Sequence, residues 1–133
     1  MDPHADLAQR FFGAFAKKDI DAARACLAPH VTWHVPGQSV ISGAHRGPDG
    51  VLAYFAKLRA LTEGTWQAHP IDLLAGKSGA IVLARGTGAR QGRRFDATYA
   101  LHLRMEGGLI VEARLYPEDL SALDAFWGTD APK

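Results

Sequence analysis

The spacing of hydrophobic positions predicts two helices at the start of the chain. Leu7, Phe11 and Phe15 recur at four-residue steps and therefore share one face of a helix. Asp19 is a suitable N-cap for a second, shorter helix, and Pro29 is expected to end it because proline cannot continue a helix. The first segment of the chain is thus predicted to be helical.

The middle of the chain combines features of a strand, a loop and a third helix. Residues 31–35 are rich in β-branched and aromatic residues, which favour a strand. Glycines, serines and prolines between residues 37 and 50 predict a loop with a brief extended piece at residues 40–41. The third helix is predicted to begin at Pro48, to present an apolar face at three- and four-residue spacing, and to end at Gly64.

The second half of the chain shows the period-two alternation and the turn signals of β-strands. Strands are predicted near residues 65–75, 80–90, 93–106 and 109–116, with glycine-containing turns between them. Short turns between consecutive strands imply antiparallel pairing. Asp119 can cap a last short helix. Helices in the N-terminal half followed by a run of strands predict an α+β fold.

Alternation along the last two strands separates an apolar face from a polar face. In the first of these strands the apolar face is assigned to the interior, where it would contribute one polar group, the phenol of Tyr99. In the last strand, alternation places Glu112, Arg114 and Tyr116 on the outer face. The interior face of the first strand comprises Phe95, Ala97, Tyr99, Leu101 and Leu103.

Composition and charge narrow the range of functions. The chain has 133 residues, 47% of them hydrophobic, which suits one domain over residues 1–133 with a core between residues 4 and 128. With 15 basic and 14 acidic residues, the formal net charge of +1 gives no electrostatic footprint for nucleic acid. The N-terminus lacks the pattern of a signal peptide, no apolar run is long enough to span a membrane, and the single cysteine excludes an internal disulfide. We therefore expect a cytoplasmic protein with no membrane partner.

Three segments carry a resemblance to a known family. They are RFFGAFAKKDIDAARACLAPHVTWHVPG, SGAHRGPDGVLAYFAKL and RRFDATYALHLRMEGGLIVEARLYPEDLSALDAFW. Together they resemble the nuclear-transport-factor-2-like superfamily, in its SnoaL-like and ketosteroid-isomerase-related branch. The resemblance implies a cystatin-like α+β roll, in which a cone-shaped, curved antiparallel sheet wraps around three N-terminal-half helices and encloses one apolar pocket. It also implies a homodimer formed through the outer face of the sheet.

His34 is the first candidate for catalysis. In the segment VTWHVPG the resemblance places His34 where related isomerases have their catalytic aspartate base, and a neutral imidazole is a suitable general base near neutral pH. The alternative is a histidine that lines the pocket without a chemical role. Phe11 and Leu101 stand where those isomerases have hydrogen-bond donors, and neither can donate, which argues against steroid isomerisation.

Other residues could assist His34 or replace it. Tyr99 would offer a phenol inside the pocket, or would be a core tyrosine whose hydroxyl reaches the rim. Arg114 could turn toward the pocket mouth if a bulge reverses the last strand, and could there pair with Asp119. The alternative role for Asp119 is the helix N-cap.

The last predictions concern the molecule that the pocket binds and the residues that contact it. The histidines lack metal-binding spacing and the chain has no nucleotide-binding motif, so neither a metal nor a cofactor is expected. The hypothesis is an isomerase, dehydratase or cyclase that acts on an apolar, carbonyl-bearing or cyclic small molecule. The alternatives are a non-catalytic small-molecule-binding domain of the same fold and a dimeric interaction domain. Residues predicted to contact the hydrophobic small molecule are Phe11, Phe15, Trp33, Tyr54, Leu101, Tyr116 and Trp127.

Overall fold

Within residues 2–129, which the computed structural model describes, the chain forms four helices and six strands in the predicted order. Helices pack against one face of a single sheet, so the predicted α+β class is confirmed. The elements are α1 (Pro3–Ala16), α2 (Ile20–Ala25), β1 (Leu27–Val35), β2 (Gly43–Arg46), α3 (Gly47–Leu61), β3 (Gln67–Ala75), β4 (Gly79–Arg90), β5 (Arg93–Glu106), β6 (Leu109–Pro117) and α4 (Leu120–Trp127).

The sheet is mixed rather than wholly antiparallel. Its strand order is β2-β1-β6-β5-β4-β3, and every neighbouring pair is antiparallel except β1 and β6. These two run parallel, with Thr32 opposite Glu112 and His34 opposite Arg114. The prediction of an antiparallel sheet is therefore wrong at this junction. It relied on short turns, which fix the direction of consecutive strands only, and most of the chain lies between β1 and β6.

The first strand begins earlier than predicted. Helix α2 ends at Ala25, and Pro29 lies inside β1 instead of ending the helix. The register between β1 and β6 shifts between Leu27 and Thr32, so Pro29 falls where the ladder is irregular. A residue without an N–H is tolerated at such a position because it interrupts no regular pair of hydrogen bonds.

The extended part of the following loop is also displaced from its predicted position. Strand β2 covers residues 43–46 and not residues 40–41, and it pairs with β1 so that His45 lies opposite Trp33. Ile41 turns into the core instead, where it is almost fully buried. A large apolar side chain in this short loop gains more by burial than by joining an exposed edge strand.

The core lies between the inner face of the sheet and the helices. Val82 on β4 and Leu103 on β5 are almost completely buried, and Leu7 and Phe11 of α1 pack over them as part of the same cluster. Burying a side chain of this size contributes about 1.5–3 kcal/mol relative to exposure. The alternation predicted for β5 and β6 is present, since buried inner residues alternate with more exposed outer ones.

Side-chain caps stabilise the N-termini of α1, α2 and α4. A carboxylate oxygen of Asp2 accepts a hydrogen bond from the backbone N–H of His4 at 2.8 Å, and Asp119 accepts one from Ala122 at 3.1 Å. Each bond satisfies a donor that the first helical turn would otherwise leave without a partner. Among residues 2–129, no helix is both long enough and apolar enough to cross a membrane.

Candidate ligand-binding cavity

A large cavity lies between the inner face of the sheet and helices α1, α3 and α4. Its volume is about 1060 Å³, which is at the upper end of the roughly 300–1,000 Å³ usual for small-molecule sites. Five of the six strands contribute lining residues, and the lining residues of the edge strand β3 are mostly exposed. The cavity therefore opens along β3.

Aromatic side chains dominate the wall. The chain has three Trp, three Tyr and six Phe residues, and ten of these 12 line the cavity. The structure places six residues of the predicted contact set in the wall: Phe11, Phe15, Trp33, Tyr54, Leu101 and Trp127. The ten aromatic lining residues are Phe11, Phe12, Phe15, Trp33, Tyr54, Phe55, Trp66, Phe95, Tyr99 and Trp127.

One end of the wall is an aromatic cluster formed by α1, α3 and β1. The rings of Phe15 and Phe55 are 4.3 Å apart between centroids, and Phe11 meets Phe15 edge to face at 4.9 Å. Trp33 lies 5.0 Å from Phe55 and 6.4 Å from Tyr54. Edge-to-face and tilted contacts of this kind are favourable and hold each ring in one orientation.

Trp66 and Trp127 form the other end of the wall, and Trp66 packs on a glycine floor, the part of β4 where Gly86 and Gly88 leave the inner face without side chains. Trp66 lies against Gly86 and Gly88, which share the inner face of β4, and its ring is 5.4 Å from that of Trp127. A Cβ atom built at Gly86 would lie 2.6 Å from Cη2 of Trp66, and one at Gly88 would lie 3.1 Å from its Cε3. Only glycine lets an indole approach the sheet this closely.

Two tyrosines supply the buried polar groups of the wall. Burial raises the pKa of Tyr99 to about 12. Burial also raises the pKa of Tyr54 above its usual range, and the negative charge that Tyr99 would carry when ionised raises it further. Both phenols are therefore protonated at neutral pH. Neither makes a side-chain hydrogen bond within residues 2–129, and neither oxygen is closed off from the cavity.

The other titratable side chains on the wall are exposed. His69 is on β3, but its Nε2 lies 3.2 Å from Oγ1 of Thr87, an outer-face residue of β4, so its ring points away from the cavity. Asp119 caps α4, and the neighbouring Glu118 accepts hydrogen bonds from both the backbone and the hydroxyl of Thr98. The remaining exposed charged residues of the wall are Lys18, Arg59 and Asp72.

His34 lies on the outer face of the sheet and not in the cavity wall. Its neighbours Trp33 and Val35 point inward and are 2% and 4% exposed, so period-two alternation directs His34 outward. The placement of His34 at the wall of the pocket is therefore a wrong prediction. Its Nε2 donates to Oε2 of Glu112 at 3.1 Å, and Nε of Arg104 donates to the other oxygen of that carboxylate at 3.4 Å.

The Glu112 carboxylate is held in its charged form by these neighbours. Partial burial raises its pKa, but the hydrogen bonds and charges of His34 and Arg104 outweigh burial and bring the pKa below its usual value. Arg104 also bonds Glu106 at 2.5 Å. These four residues form a charged network on the outer face of β1, β5 and β6.

Arg114 and Tyr116 share the outer face with His34, and the three line a shallow groove there. The prediction that Tyr116 contacts a ligand in the main cavity is wrong in its placement, since Tyr116 is 53% exposed on the outer face. The register between β5 and β6 does shift, but it shifts between Arg104 and Met105 at the end of β5, opposite the start of β6. The far end of β6 therefore does not reverse its faces. Among the ion pairs within residues 2–129, Arg114 does not pair with Asp119, which serves as the helix cap.

Sequence reasoning missed part of the wall. Phe12 directly follows Phe11, and a wider apolar face on α1 would have included it. Phe55 belongs to the apolar face predicted for the third helix, but it is not among the predicted ligand contacts. Trp66 could have been found from the pair Gly86 and Gly88, because two glycines on the same face of a strand mark a close approach of another group. The structure shows no cluster of three or more potential metal-binding side chains in residues 2–129.

Comparison with known proteins finds a matching family model and relatives of similar length. A family model described as a SnoaL-like domain matches residues 8–113. An uncharacterized protein of Mycobacterium tuberculosis is 32% identical over 127 residues, which cover 95% of this chain and 97% of the relative.

Solved structures agree with this match. Bal32a, from a soil-derived mobile gene cassette, has a TM-score of 0.91 and 29% identity over 95% of this chain and 97% of its own. A Xanthomonas campestris protein of unknown function with a cystatin-like fold has a TM-score of 0.88 and 30% identity over 96% of this chain and 99% of its own. The predicted roll is thus confirmed.

Proposed function

This chain belongs to the SnoaL-like domain family of the nuclear-transport-factor-2-like superfamily, and we propose that it binds a flat, largely apolar small molecule in its cavity. The observation that carries the proposal is the aromatic wall. Flat ring systems gain both apolar burial and ring-to-ring contacts against such a surface. A concave, mostly apolar site with few polar groups is also the usual form of a small-molecule site.

Binding is better supported than histidine-dependent catalysis. An isomerase, dehydratase or cyclase that works by acid–base chemistry needs a group that exchanges protons near neutral pH beside its ligand. The buried titratable groups of the wall are Tyr54 and Tyr99, and both have raised pKa values. His34, the predicted base, lies on the opposite face of the sheet.

Intrinsic fluorescence tests the proposal directly, because all three tryptophans line the cavity. We expect fluorene, a flat hydrocarbon of three fused rings, to quench this emission in a saturable way. Leu73 lines the cavity from β3, whereas the next residue, Leu74, lies on the outer face and is 61% exposed. Leu73→Trp should place an indole inside the cavity and weaken binding at least tenfold, and Leu74→Trp should leave it within about twofold.

Both variants add one indole to the same strand, so they differ only in the face that receives it. Binding measured by calorimetry avoids interference from the new tryptophan. Equal affinities for the two variants, or no saturable binding to the unchanged chain, would contradict the proposal.

The outer face supports a second proposal, the homodimer that the family resemblance implies. Ile81, Leu83 and Tyr116 are 41%, 39% and 53% exposed there, and Ala100 lies between Leu83 and Tyr116 in the ladder. Large exposed apolar residues that adjoin each other on a sheet are typical of protein interfaces. Charges of both signs surround them, so two copies of this face would not repel each other.

Light scattering after size exclusion measures this oligomeric state. We expect the unchanged chain to have the mass of a dimer at micromolar concentration and Leu83→Lys to shift it to monomer. Ile20→Lys is the matched control, because Ile20 is similarly exposed but lies on α2, away from the sheet. A monomeric unchanged chain would refute the dimer.

A further inference from the structure

We propose that the hydroxyls of Tyr54 and Tyr99 form a pair of hydrogen-bond donors that selects ligands carrying a neutral carbonyl oxygen. The inference rests on the proposed function, since it concerns the ligand of the same cavity. The carbonyl group distinguishes a preferred ligand from a plain hydrocarbon of the same shape. The two tyrosines that recognise this group lie on different elements, α3 and β5.

The ring of Tyr54 is fixed in place by its neighbours. The ring of His45 stacks behind it with centroids 4.5 Å apart and planes 29° from parallel. Phe55 and Trp33 hold it from the sides, at 5.0 and 6.4 Å. His45 itself is held because its Nε2 donates to the carbonyl oxygen of Ile41 at 2.9 Å. A donor on a ring fixed in this way loses little conformational entropy when a ligand binds.

Tyr99 approaches the cavity from the sheet. In the sheet, Tyr99 lies opposite Ala84 on β4 and opposite Pro117 on β6. A Cβ atom built at Gly86 would lie 3.2 Å from Cε1 of Tyr99, so this ring also lies over the glycine floor that supports Trp66. Tyr54 and Tyr99 line the same cavity, one from α3 and the other from β5. One ligand can therefore lie within reach of both.

The state of the two phenols defines the group that they recognise. Both are protonated at neutral pH and can donate, and neither hydroxyl has a partner within residues 2–129. A polar group in apolar surroundings without a partner is unfavourable, so a ligand acceptor that satisfies these donors gains affinity. By contrast, Nε1 of Trp127 is buried away from the cavity space and cannot reach a ligand without a rearrangement.

The charge of the wall favours a neutral acceptor over an anionic one. The cationic lining residues Lys18 and Arg59 are exposed, and no cation lies among the buried lining residues of the described chain. A carboxylate bound against the tyrosines would lose its hydration without gaining a counter-charge, which is costly. A ketone carbonyl accepts two hydrogen bonds and has no such penalty.

Two compounds of nearly the same shape test the inference. Fluorene and 9-fluorenone differ by one carbonyl oxygen, and their affinities can be measured by calorimetry with the unchanged chain, Tyr54→Phe, Tyr99→Phe and the double variant. We expect 9-fluorenone to bind the unchanged chain at least tenfold more tightly than fluorene. Each single variant should lower that ratio by roughly fivefold, the usual worth of one hydrogen bond, and the double variant should bring it near one.

Controls separate this inference from the proposed function. Tyr116→Phe removes an exposed phenol on the outer face and should leave the ratio unchanged. Retained fluorene binding shows that each variant is folded with an intact cavity. If fluorene binds and the unchanged chain shows no preference for 9-fluorenone, the inference is overturned and the proposed function stands. The same holds if fluorene-9-carboxylate binds more tightly than 9-fluorenone. If none of the compounds binds, the proposed function fails as well.

Discussion

The inner and outer faces of the sheet belong to the same strands, yet they have opposite chemistry. The inner face borders the aromatic cavity and contributes the protonated phenol of Tyr99, while the outer face carries a network of charged groups that includes His34, Glu112 and Arg104. His34, the first candidate for catalysis in the sequence, lies on the outer face. In a sheet, one position along the strand therefore decides whether a side chain meets a ligand or solvent.

The two faces should differ most in the stability lost on substitution of two adjacent residues, Trp33 and His34. Trp33→Ala removes an indole that is 2% exposed and contacts Phe11 and Tyr54, so it should lower the free energy of unfolding by about 3–5 kcal/mol. His34→Ala removes only a partly exposed ion pair and should lower it by less than about 1 kcal/mol. Urea denaturation of both variants measures the difference. Equal losses would contradict the assignment of the two faces.

The inner face is also expected to set the alkaline limit of stability. The pKa of Tyr99 is about 12 in the folded chain, against 10.0 for an ordinary tyrosine, so between these values the folded chain keeps a proton that the unfolded chain has lost. Stability should therefore fall as pH rises from 10 to 12, by about 2–3 kcal/mol from this group. Tyr99→Phe should reduce the decline in urea titrations at successive pH values without abolishing it, because the pKa of Tyr54 is raised as well. Tyr116→Phe is the exposed control. A decline that Tyr99→Phe leaves unchanged would show that another group causes it.

The glycine floor offers a test of how closely the inner face is packed. Gly86→Ala places a methyl group 2.6 Å from Cη2 of Trp66 unless the indole moves, which should destabilise the chain by about 1–3 kcal/mol and shift the tryptophan emission. Gly76→Ala is the matched control, because no heavy atom lies within 4 Å of its Cβ position. Similar melting temperatures for the two variants would mean that Trp66 does not rest on β4.

The smallest expected effect belongs to the outer face at acid pH. The pKa of Glu112 is lowered in the folded chain, so its contribution to stability is present above the ordinary pKa of 4.5 and is lost as pH falls through the folded value. Because the side chain is 36% exposed, solvent screening limits the effect to about 0.5 kcal/mol. Glu112→Gln should reduce the slope of stability against pH below 4.5, and Glu63→Gln should not. An unchanged slope would contradict the network.

Local patterns in the sequence predicted most of the fold because neighbouring residues determine most of it. The stripe through Leu7 and Phe11 predicted α1, and alternation along β5 placed Tyr99 on the inner face. The parallel pairing of β1 and β6 could not be predicted in this way, because no turn connects the two strands. The same applies to the position of Trp66, which depends on glycines 20 residues further along the chain.

The candidate site was predicted less well, and His34 shows why. Alternation in VTWHV already favoured an outward His34, because Trp33 is the larger apolar side chain and can be buried only on the opposite face. The resemblance to isomerases predicts the opposite placement. Where the two conflict, the physical requirement to bury a large indole is the stronger guide.

The pairing of the first long strand with the last has a consequence for synthesis of the chain on the ribosome. Thr32 is synthesised 80 residues before its partner Glu112. Until β6 emerges, β1 lacks the neighbour that fixes one of its edges, and loop closure over this distance is entropically costly. The sheet can be completed only after β6 has been synthesised, so the nascent chain must protect its aromatic inner face until then.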